Sequence, residues 1–446
     1  MLLKNALYCL FPLLLAACGS SATEEIIGPV TAPVDLTVCT ANNVAQYYME
    51  GSTSSFVTGK TWMTSTLMAS KRATSKLSRF DQPESATITT DIASLTSGST
   101  AAGSTSTSST PSVRVEVCRD AAYSDVFWQT TTSETTCQLS NLLPGETYYY
   151  RVVGEGKTLR HGTLTTTGQL RMLRADNSWN LRDLGGWEGL DGARVKYGLV
   201  YRGGSLDNIT EAEGRELQRV GIQAELDLRG LVGEGGIWAG EDKAHSAARS
   251  SGTSTIAGAE YQHIMCDWGE EYPLLYSPIV RSAAYVIDCV RQQKPVYFHC
   301  KSGADRTGDV AMVLEGLLGL SDVDIAKDYE LTAFSNEGSD FSGRVVTAQS
   351  YTWMFYHDLV DRMAGYDGVD LSDATFRERC YYYLNRYFPD REASATWQPG
   401  TGRRADGPTE NDGFIGISAD ILDAFCDTML GLPAGTSQAH RPAWAK

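Results

Sequence analysis

The pattern of apolar residues changes at Gly168, and this change limits what the 446-residue chain can fold into. Before Gly168 the chain is rich in Ser, Thr and Val, and segments such as 113–117 alternate apolar and polar residues as half-buried strands do. After Gly168, short apolar strands alternate with helix-like stretches, which is typical of a three-layer α/β domain. We therefore expect a multidomain chain, with an all-β region followed by an α/β domain that has a mainly parallel central sheet.

The order of elements in the second region can be predicted from local patterns. A helix over 307–320 would present an apolar stripe to a core, and Ser418 is a candidate N-cap for a final helix. Residues 432–446 are predicted to be a disordered tail. The predicted strands are 222–228, 261–265 and 295–298, and the helix before the first of them is 211–220.

The charge and the cysteines of the chain restrict its partners. The formal net charge is −16, whereas nucleic-acid binding requires a basic surface, so nucleic acid is not an expected partner. No Cys-x-x-Cys pair and no Cys/His cluster of zinc type occurs in the sequence, so we expect no structural metal. Cys118 and Cys137, on neighbouring predicted strands, are the candidate disulfide pair, and free buried thiols are the alternative.

The N-terminus has the features of a targeting signal. Lys4 precedes a short apolar run that ends in Leu15-Ala16-Ala17-Cys18-Gly19 and is too short to span a bilayer. The segment resembles a bacterial lipoprotein signal peptide, which implies that residues 1–17 are removed, Cys18 is lipidated and 18–33 form a tether. A plain secretory signal with a coincidental cysteine is the alternative. Either reading predicts an extracytoplasmic protein, and the first predicts attachment to a bacterial membrane.

The segment 295–308 has the order strand, cysteine, small-residue loop and helix start. The strand ends near Cys300, Gly303 permits a tight turn, and Arg306 follows the cysteine by six residues. Backbone N–H groups of such a loop and the start of the next helix favour both a bound anion and a thiolate. A planar guanidinium can hold two oxygens of a phosphate group. The segment therefore predicts a cysteine nucleophile in a phosphate-binding loop.

The spacing between cysteine and arginine is weak evidence on its own. Cys380 and Arg386 have the same separation, but the residues between them include three tyrosines and no glycine, and no strand precedes them. Such a segment cannot form a ring of inward-facing amides. We expect it to be a packed helix.

The Cys300 loop and several other segments are similar to motifs of the atypical bacterial protein-tyrosine/lipid phosphatases, a family of the Cys-x5-Arg superfamily. The similar segments occur in the family's order over about residues 170–360, the catalytic half of the chain. They are His299-Cys-Lys-Ser-Gly-Ala-Asp-Arg-Thr-Gly308, Asn180-Leu-Arg-Asp-Leu-Gly-Gly186, Gly198-Leu-Val-Tyr-Arg-Gly203, Leu226-Asp-Leu-Arg229 and Asp328-Tyr-Glu-Leu-Thr332.

This resemblance implies a phosphate-monoester hydrolase that needs no metal or organic cofactor. Cys300 would be the nucleophile and Arg306 the phosphate clamp. Thr307 would stabilise the departing thiolate, and His299 would order the loop. We treat Asp227 and Arg229 as scaffold. The implied substrate-binding residues are Lys301, Ser302, Gly303, Ala304, Arg182 and Asp183.

The sequence leaves the general acid and the substrate open. Asp267, 33 residues before Cys300, has the spacing of the acid loop of small dual-specificity phosphatases, and Asp305 inside the loop is its rival. Glu270 and Glu271 are weaker candidates. Ala304 stands where many family members have lysine, while Lys301 is similar to the lysine of some phosphoinositide phosphatases, or is a solvated side chain. The candidate substrates are phosphorylated proteins, phosphoinositides and inositol phosphates.

The first region has a second resemblance. The run Leu142-Leu-Pro-Gly-Glu-Thr-Tyr148 is similar to the turn into a late strand of fibronectin type III domains, with Tyr148 as the tyrosine-corner residue. It implies a fibronectin III-like sandwich over 34–167, before a phosphatase-like domain over 168–431. Two other functions stay open: a catalytically silent adhesion lipoprotein that binds a phosphorylated ligand, and a rhodanese-type sulfurtransferase.

Overall fold

The computed structural model describes residues 32–41, 82–96, 110–230, 248–266, 277–334, 371, 373–385, 395–397, 404–406 and 417–445. The chain divides into two compact units that are interleaved along the sequence. Unit one comprises Met1–Val34, Thr89–Cys137 and Tyr149–Gly162, and unit two comprises Asp35–Ile88, Gln138–Tyr148 and Thr163–Lys446.

The described strands of the first half are β1 Leu36–Cys39, β2 Ala86–Thr89, β3 Val113–Cys118, β4 Val126–Thr132, β5 Thr136–Leu139, β6 Thr147–Gly154 and β7 Lys157–Thr167, with a short helix α1 at Ala93–Thr96. In unit one the strand order is β7-β6-β3-β4, and β3 pairs antiparallel with both of its neighbours. Apolar residues of β3 and β6 alternate toward a buried face, as the sequence predicted for 113–117. Their buried members are Val113, Val115, Val117, Tyr150 and Val152.

Three segments of the first half belong to unit two with the α/β residues. Strand β1 pairs parallel with the C-terminal half of β7, from Leu36↔Leu164 to Cys39↔Thr167. In the turn 138–148, the Leu143 N–H donates to the Tyr148 hydroxyl at 3.3 Å. The Asn141 side chain accepts from the Arg174 N–H at 2.6 Å. The turn 138–148 and the end of β7 are thus grouped with the α/β residues of unit two.

A five-stranded sheet forms the centre of the α/β part of unit two, in the order β11-β10-β12-β9-β8. Strands β9 to β12 are parallel, and the two-residue β8 is antiparallel to β9, so the predicted mainly parallel sheet is confirmed. The strands are β8 Arg182–Asp183, β9 Val200–Gly203, β10 Ala224–Asp227, β11 Glu260–His263 and β12 Val296–His299; a separate pair is β13 Ala395–Trp397 and β14 Arg404–Asp406.

Helices cover both faces of this sheet. In β12, Val296 and Phe298 join one apolar cluster and Tyr297 joins another, because alternate residues of a strand point to opposite faces. The cluster around Tyr297 contains Leu217 of α2, and the larger cluster contains the other long helices, which makes three layers. The helices are α2 Glu211–Val220, α3 Ser277–Arg291, α4 Asp305–Leu318, α5 Asp322–Glu330, α6 Phe376–Asn385 and α7 Ala419–Leu430.

Two sequence-based expectations are wrong. Cys118 and Cys137 are both free thiols, because β5 pairs with β2 and not with β3. The predicted disordered tail is ordered as far as residue 445: the Ser437 N–H donates to Asp427 at 2.8 Å, and the Trp444 ring packs edge-on against Tyr382 with ring centroids 5.1 Å apart. By contrast, the prediction that Cys380 lies in a packed helix is confirmed, since it is fully buried in α6.

Candidate active site

Cys300 lies at the carboxyl end of β12, between that strand and helix α4. This edge of a parallel sheet is where ligands bind in open α/β folds. The thiol residue is buried, with 2% of its surface exposed. Helix α4 begins at Asp305, directly after the loop 300–304, so the helix N-terminus adjoins that loop. The arrangement has the strand-loop-helix order that the sequence predicted.

The carbonyl groups of four consecutive loop residues are all hydrogen-bonded to donors of the protein. In a trans peptide the next N–H points away from the carbonyl, so the N–H groups of residues 301–304 point to the opposite side. Converging N–H groups of this kind bind anions. The bonds run from His299 Nδ1 to Cys300 O (2.9 Å), from Ser205 N to Lys301 O (2.9 Å), from Asn180 Nδ2 to Ser302 O (3.2 Å) and Gly303 O (3.0 Å), and from Arg202 Nη2 to Gly303 O (3.0 Å).

Gly303 is required by the shape of this loop. Its φ is +69°, a conformation that residues with a side chain rarely adopt. A Cβ at this position would lie 2.3 Å from the carbonyl carbon of Gly203 at the end of β9. The two glycines let the loop rest directly on the neighbouring strand.

Arg306 and Thr307 occupy the first turn of α4. Arg306 is 7% exposed, and its guanidinium forms no ion pair with the described residues. The fully buried Thr307 hydroxyl likewise has no hydrogen-bond partner within the described part of the chain. A buried cation and a buried hydroxyl beside a cysteine are suited to an anionic ligand and to a thiolate.

The loop is held from below by a buried ion network. Asp328 of α5 accepts from Arg182 Nε at 2.8 Å and also from Arg202 Nη1. Arg202 Nη2 also donates to the Gly303 carbonyl oxygen. Asn180 Nδ2, which donates to the loop, also donates to Thr332 Oγ1 at 3.0 Å. The two arginines hold the pKa of Asp328 below its usual range, although burial acts in the opposite direction. The network fixes the position of the loop without contacting the nucleophile.

Glu315 of α4 is a second buried acid beside this network. Burial, and then the charge of Asp328, raise the pKa of Glu315 well above its ordinary range, although Arg202 acts in the opposite direction. Its carboxyl group shares a hydrogen bond with Asp328, while its Oε1 has no partner among the described residues. Glu315 is therefore the protonated member of the pair.

This protonation predicts a pH-dependent stability. The folded state keeps a proton on Glu315 that the unfolded chain releases near pH 4.3, so the free energy of unfolding should fall by about 1.4 kcal/mol per pH unit above that value until the raised folded pKa is passed. In Glu315→Gln this decline should be absent. Urea unfolding of both proteins between about pH 5 and pH 7 measures it, and parallel curves would contradict it.

The other predicted site residues lie in different parts of the structure. Arg182 supports the loop through Asp328, but Asp183 is bound by Arg171 and by the Gly185 and Gly198 N–H groups, away from the loop. Lys301 and Ser302 are half-buried and Ala304 is fully buried. Cys18, Asp267, Glu270 and Glu271 lie outside the described residues, and of Asp305 only the backbone is described. The choice of general acid stays a prediction.

Sequence reasoning did not assign three residues that hold the loop: Asn180, Arg202 and Asp328. All three lie inside segments that the family resemblance had marked. In the described part of the chain, no cluster of three or more His, Cys, Asp or Glu residues is placed to hold a metal ion, and no helix is long and apolar enough to cross a membrane.

Sequence similarity to known proteins supports this reading of the site. Residues 173–350 match the model of the tyrosine phosphatase family. A Cupriavidus necator protein, named as a candidate tyrosine-protein phosphatase, is 27% identical over 35% of this chain and 61% of its own length. The crystal structure of P. aeruginosa TpbA aligns with 41% of this chain and 91% of its own, at 16% identity and a TM-score of 0.24.

The segment that matches the tyrosine phosphatase family model contains the Cys300 loop, the residues of the buried ion network and the five strands of the α/β sheet. This similarity supports the predicted class of enzyme, a phosphatase. The chain spans about three-fifths of the length of the C. necator relative.

Proposed function

We propose that the chain hydrolyses phosphate monoesters through a phosphocysteine on Cys300. The observation that carries this proposal is the loop itself. Four loop carbonyls are turned to protein donors, which directs the N–H groups of residues 301–304 to the other side, next to a buried Arg306 that has no acidic partner among the described residues. Such a site binds a dianion and places it against the thiol.

The reaction would proceed in two displacements. The Cys300 thiolate attacks phosphorus, a sulfur–phosphorus bond forms, and the bond to the ester oxygen breaks as an acid protonates the leaving group. The loop N–H groups and Arg306 hold the three phosphoryl oxygens throughout. Water then attacks phosphorus, giving up a proton to a base, and the thiolate leaves with the Thr307 hydroxyl as its hydrogen-bond donor. Asp267 and Asp305 are the candidate acids.

The substrates we propose are phosphotyrosine or phosphoserine/threonine proteins, or phosphoinositides, outside the cytoplasm. The N-terminal signal and Cys18 support this location, with lipid attachment to a bacterial membrane. A fibronectin III-like spacer over 34–167 would then hold the catalytic domain away from the membrane, a role suggested by fold alone. Hydrolysis of inositol phosphates is the alternative within the same chemistry.

The test is direct detection of the intermediate. The full chain is mixed with an aryl phosphate in the presence of a chelator, quenched in acid within the first turnover, and mapped by mass spectrometry. We expect phosphate on Cys300 and steady release of the phenol. Release of phenol with no phosphocysteine would overturn the mechanism, and absence of turnover by folded protein would overturn the proposed activity.

A further inference from the structure

The side-chain amide of Asn180 has neighbours that fix which of its ends is which. Arg182 Nη1 lies 2.6 Å from Asn180 Oδ1. A guanidinium only donates hydrogen bonds, so the atom that faces Arg182 must be the amide oxygen. The amide nitrogen then faces three acceptors: the carbonyl oxygens of Ser302 (3.2 Å) and Gly303 (3.0 Å) and the hydroxyl oxygen of Thr332 (3.0 Å). Asn180 therefore contacts the catalytic loop as a donor.

The backbone of Asn180 has a conformation that residues with a side chain rarely adopt. Its φ is +59°, in the left-handed region, which asparagine tolerates better than most residues other than glycine. The peptides on both sides of it are fixed. The Gly204 N–H donates to the Trp179 carbonyl oxygen at 2.9 Å, and the Leu181 carbonyl oxygen accepts from the Leu173 N–H at 2.9 Å. A conformation of this kind persists only where the surrounding structure imposes it, and such residues cluster at functional sites.

The two carbonyls that Asn180 holds belong to the two peptides on either side of Gly303. The Ser302 carbonyl shares a peptide with the N–H of Gly303, and the Gly303 carbonyl shares one with the N–H of Ala304. In a trans peptide the carbonyl and the N–H point in opposite directions, so fixing the first also fixes the second. A rotation of either peptide would replace an N–H at the anion site with a carbonyl oxygen, which repels phosphate. Glycine resists such a rotation less than any other residue.

We propose that Asn180 is a positioning residue that holds these two peptides with their N–H groups toward the phosphate site before any ligand binds. Asn180 acts through the loop and does not touch the substrate. This role rests on the proposed function. An anion site that is formed in advance loses no affinity to rearrangement of the loop, and its N–H groups are already in place when charge develops on the phosphoryl oxygens in the transition state.

Asn180→Asp tests the donor with almost no change of shape. Its carboxylate can still accept from Arg182, but it offers no hydrogen to the loop carbonyls. The readouts are binding of inorganic phosphate to the full chain by calorimetry at about pH 7, where the carboxylate is ionised, and hydrolysis of an aryl phosphate. We expect the Kd for phosphate to rise by about tenfold or more and kcat/KM to fall by about tenfold to 100-fold. A role in packing alone predicts values equal to those of the wild type, and that result would overturn the proposal.

Asn180→Gly separates the lost donor from the added negative charge. Glycine adopts the left-handed conformation without steric cost, so the backbone should keep its course while the amide is removed. We expect phosphate affinity to fall by about tenfold while cooperative unfolding in urea persists. A loss of affinity in Asn180→Asp but not in Asn180→Gly would mean that charge repulsion is the cause, and it would overturn the proposal.

Asn141→Gly is the matched control. Asn141 is also buried, and its φ of +60° is nearly the same. Its amide oxygen accepts from the Arg174 N–H at 2.6 Å, and its amide nitrogen donates to Glu216 Oε1 at 3.2 Å. This variant should lower the free energy of unfolding and leave phosphate affinity unchanged. An equal loss of phosphate affinity in both glycine variants would mean that the effect is general destabilisation, and the proposal would be wrong.

Phosphate binding and turnover are measured separately, so failure of this inference differs from failure of the proposed function. A wild type that binds phosphate more tightly than both Asn180 variants but hydrolyses no ester would support the role of Asn180 and refute the activity. An active wild type whose phosphate affinity both variants retain would do the reverse, and a wild type that binds no phosphate would overturn both. If neither variant folds, a crystal structure of the phosphate-free wild type decides: a Ser302 or Gly303 carbonyl turned toward Cys300 would overturn the proposal.

Discussion

Cys300→Ser is expected to lower kcat/KM for an aryl phosphate by on the order of 10⁴-fold or more, while the protein stays folded. A cysteine reacts through its thiolate, a far stronger nucleophile than a serine hydroxyl, which stays protonated at the same pH. Phosphate binding should survive, because the loop N–H groups and Arg306 are unchanged. Steady-state kinetics in a chelator and phosphate binding by calorimetry measure the two effects.

Cys380→Ala is the matched control for this variant, because Cys380 precedes Arg386 by the same six residues. Cys380 is fully buried in α6 and packs close to Gly316 of α4, so the change removes one sulfur atom from the core. We expect a stability loss on the order of 1 kcal/mol and unchanged kcat/KM. Equal loss of activity in both variants would show that the cysteine loop is not the catalytic centre.

The elements predicted best are those that local sequence determines. Helix α2 spans Glu211–Val220 as predicted, because Thr210 and Glu213 form a capping box at its start and Gly221 ends it in a left-handed conformation. The strand before Cys300 and the helix after it were also predicted, since the strand is a short apolar run and the helix carries an apolar stripe. Their observed ends differ from the predicted ends by one or two residues.

The unpredicted features depend on residues that are distant in sequence. The turn at Asn141 groups with the α/β residues because Arg171 donates to the Asn141 and Leu142 carbonyls. A local sequence pattern cannot predict a bond between residues so far apart in the chain. The ordered tail depends on the aromatic contacts of Trp444 in the same way. Composition at these positions is that of an ordinary loop, so burial could not be inferred from it.

The same limit applies to the candidate site. The Cys300 loop is contiguous, so its chemistry could be predicted from spacing, glycine content and the elements on either side. The hydrogen bond between Glu225 and His299 joins residues 74 positions apart, and Arg202 and Asp328 are 126 positions apart. In the sequence these residues look like ordinary charges of strands and helices, and only the fold shows that they lie beneath one loop.

Asp328→Asn is expected to lower the free energy of unfolding by about 3–5 kcal/mol and to impair catalysis. The fully buried carboxylate lies between Arg182 and Arg202, so its loss leaves two buried guanidinium groups without their shared partner. Arg202 would then no longer be fixed on the Gly303 carbonyl. Urea unfolding measures the first effect and kcat/KM the second. Glu211→Gln, which removes the exposed ion pair with Arg215, should change stability by less than about 0.5 kcal/mol.

The buried Glu315 beside Asp328 should affect how much stability Asp328→Asn loses. In Asp328→Asn the neighbouring Glu315 can release its proton and supply part of the missing negative charge. The double variant Asp328→Asn/Glu315→Gln should therefore lose more free energy of unfolding than the two single variants lose together.

The wild-type contribution of Asp328 to stability is present above its unfolded pKa of about 3.9 and is lost as the pH falls toward the lowered folded pKa. The wild type and Asp328→Asn should therefore converge in acid. Additive effects, or a stability difference that persists in acid, would mean that Asp328 is not the counter-ion of the two arginines.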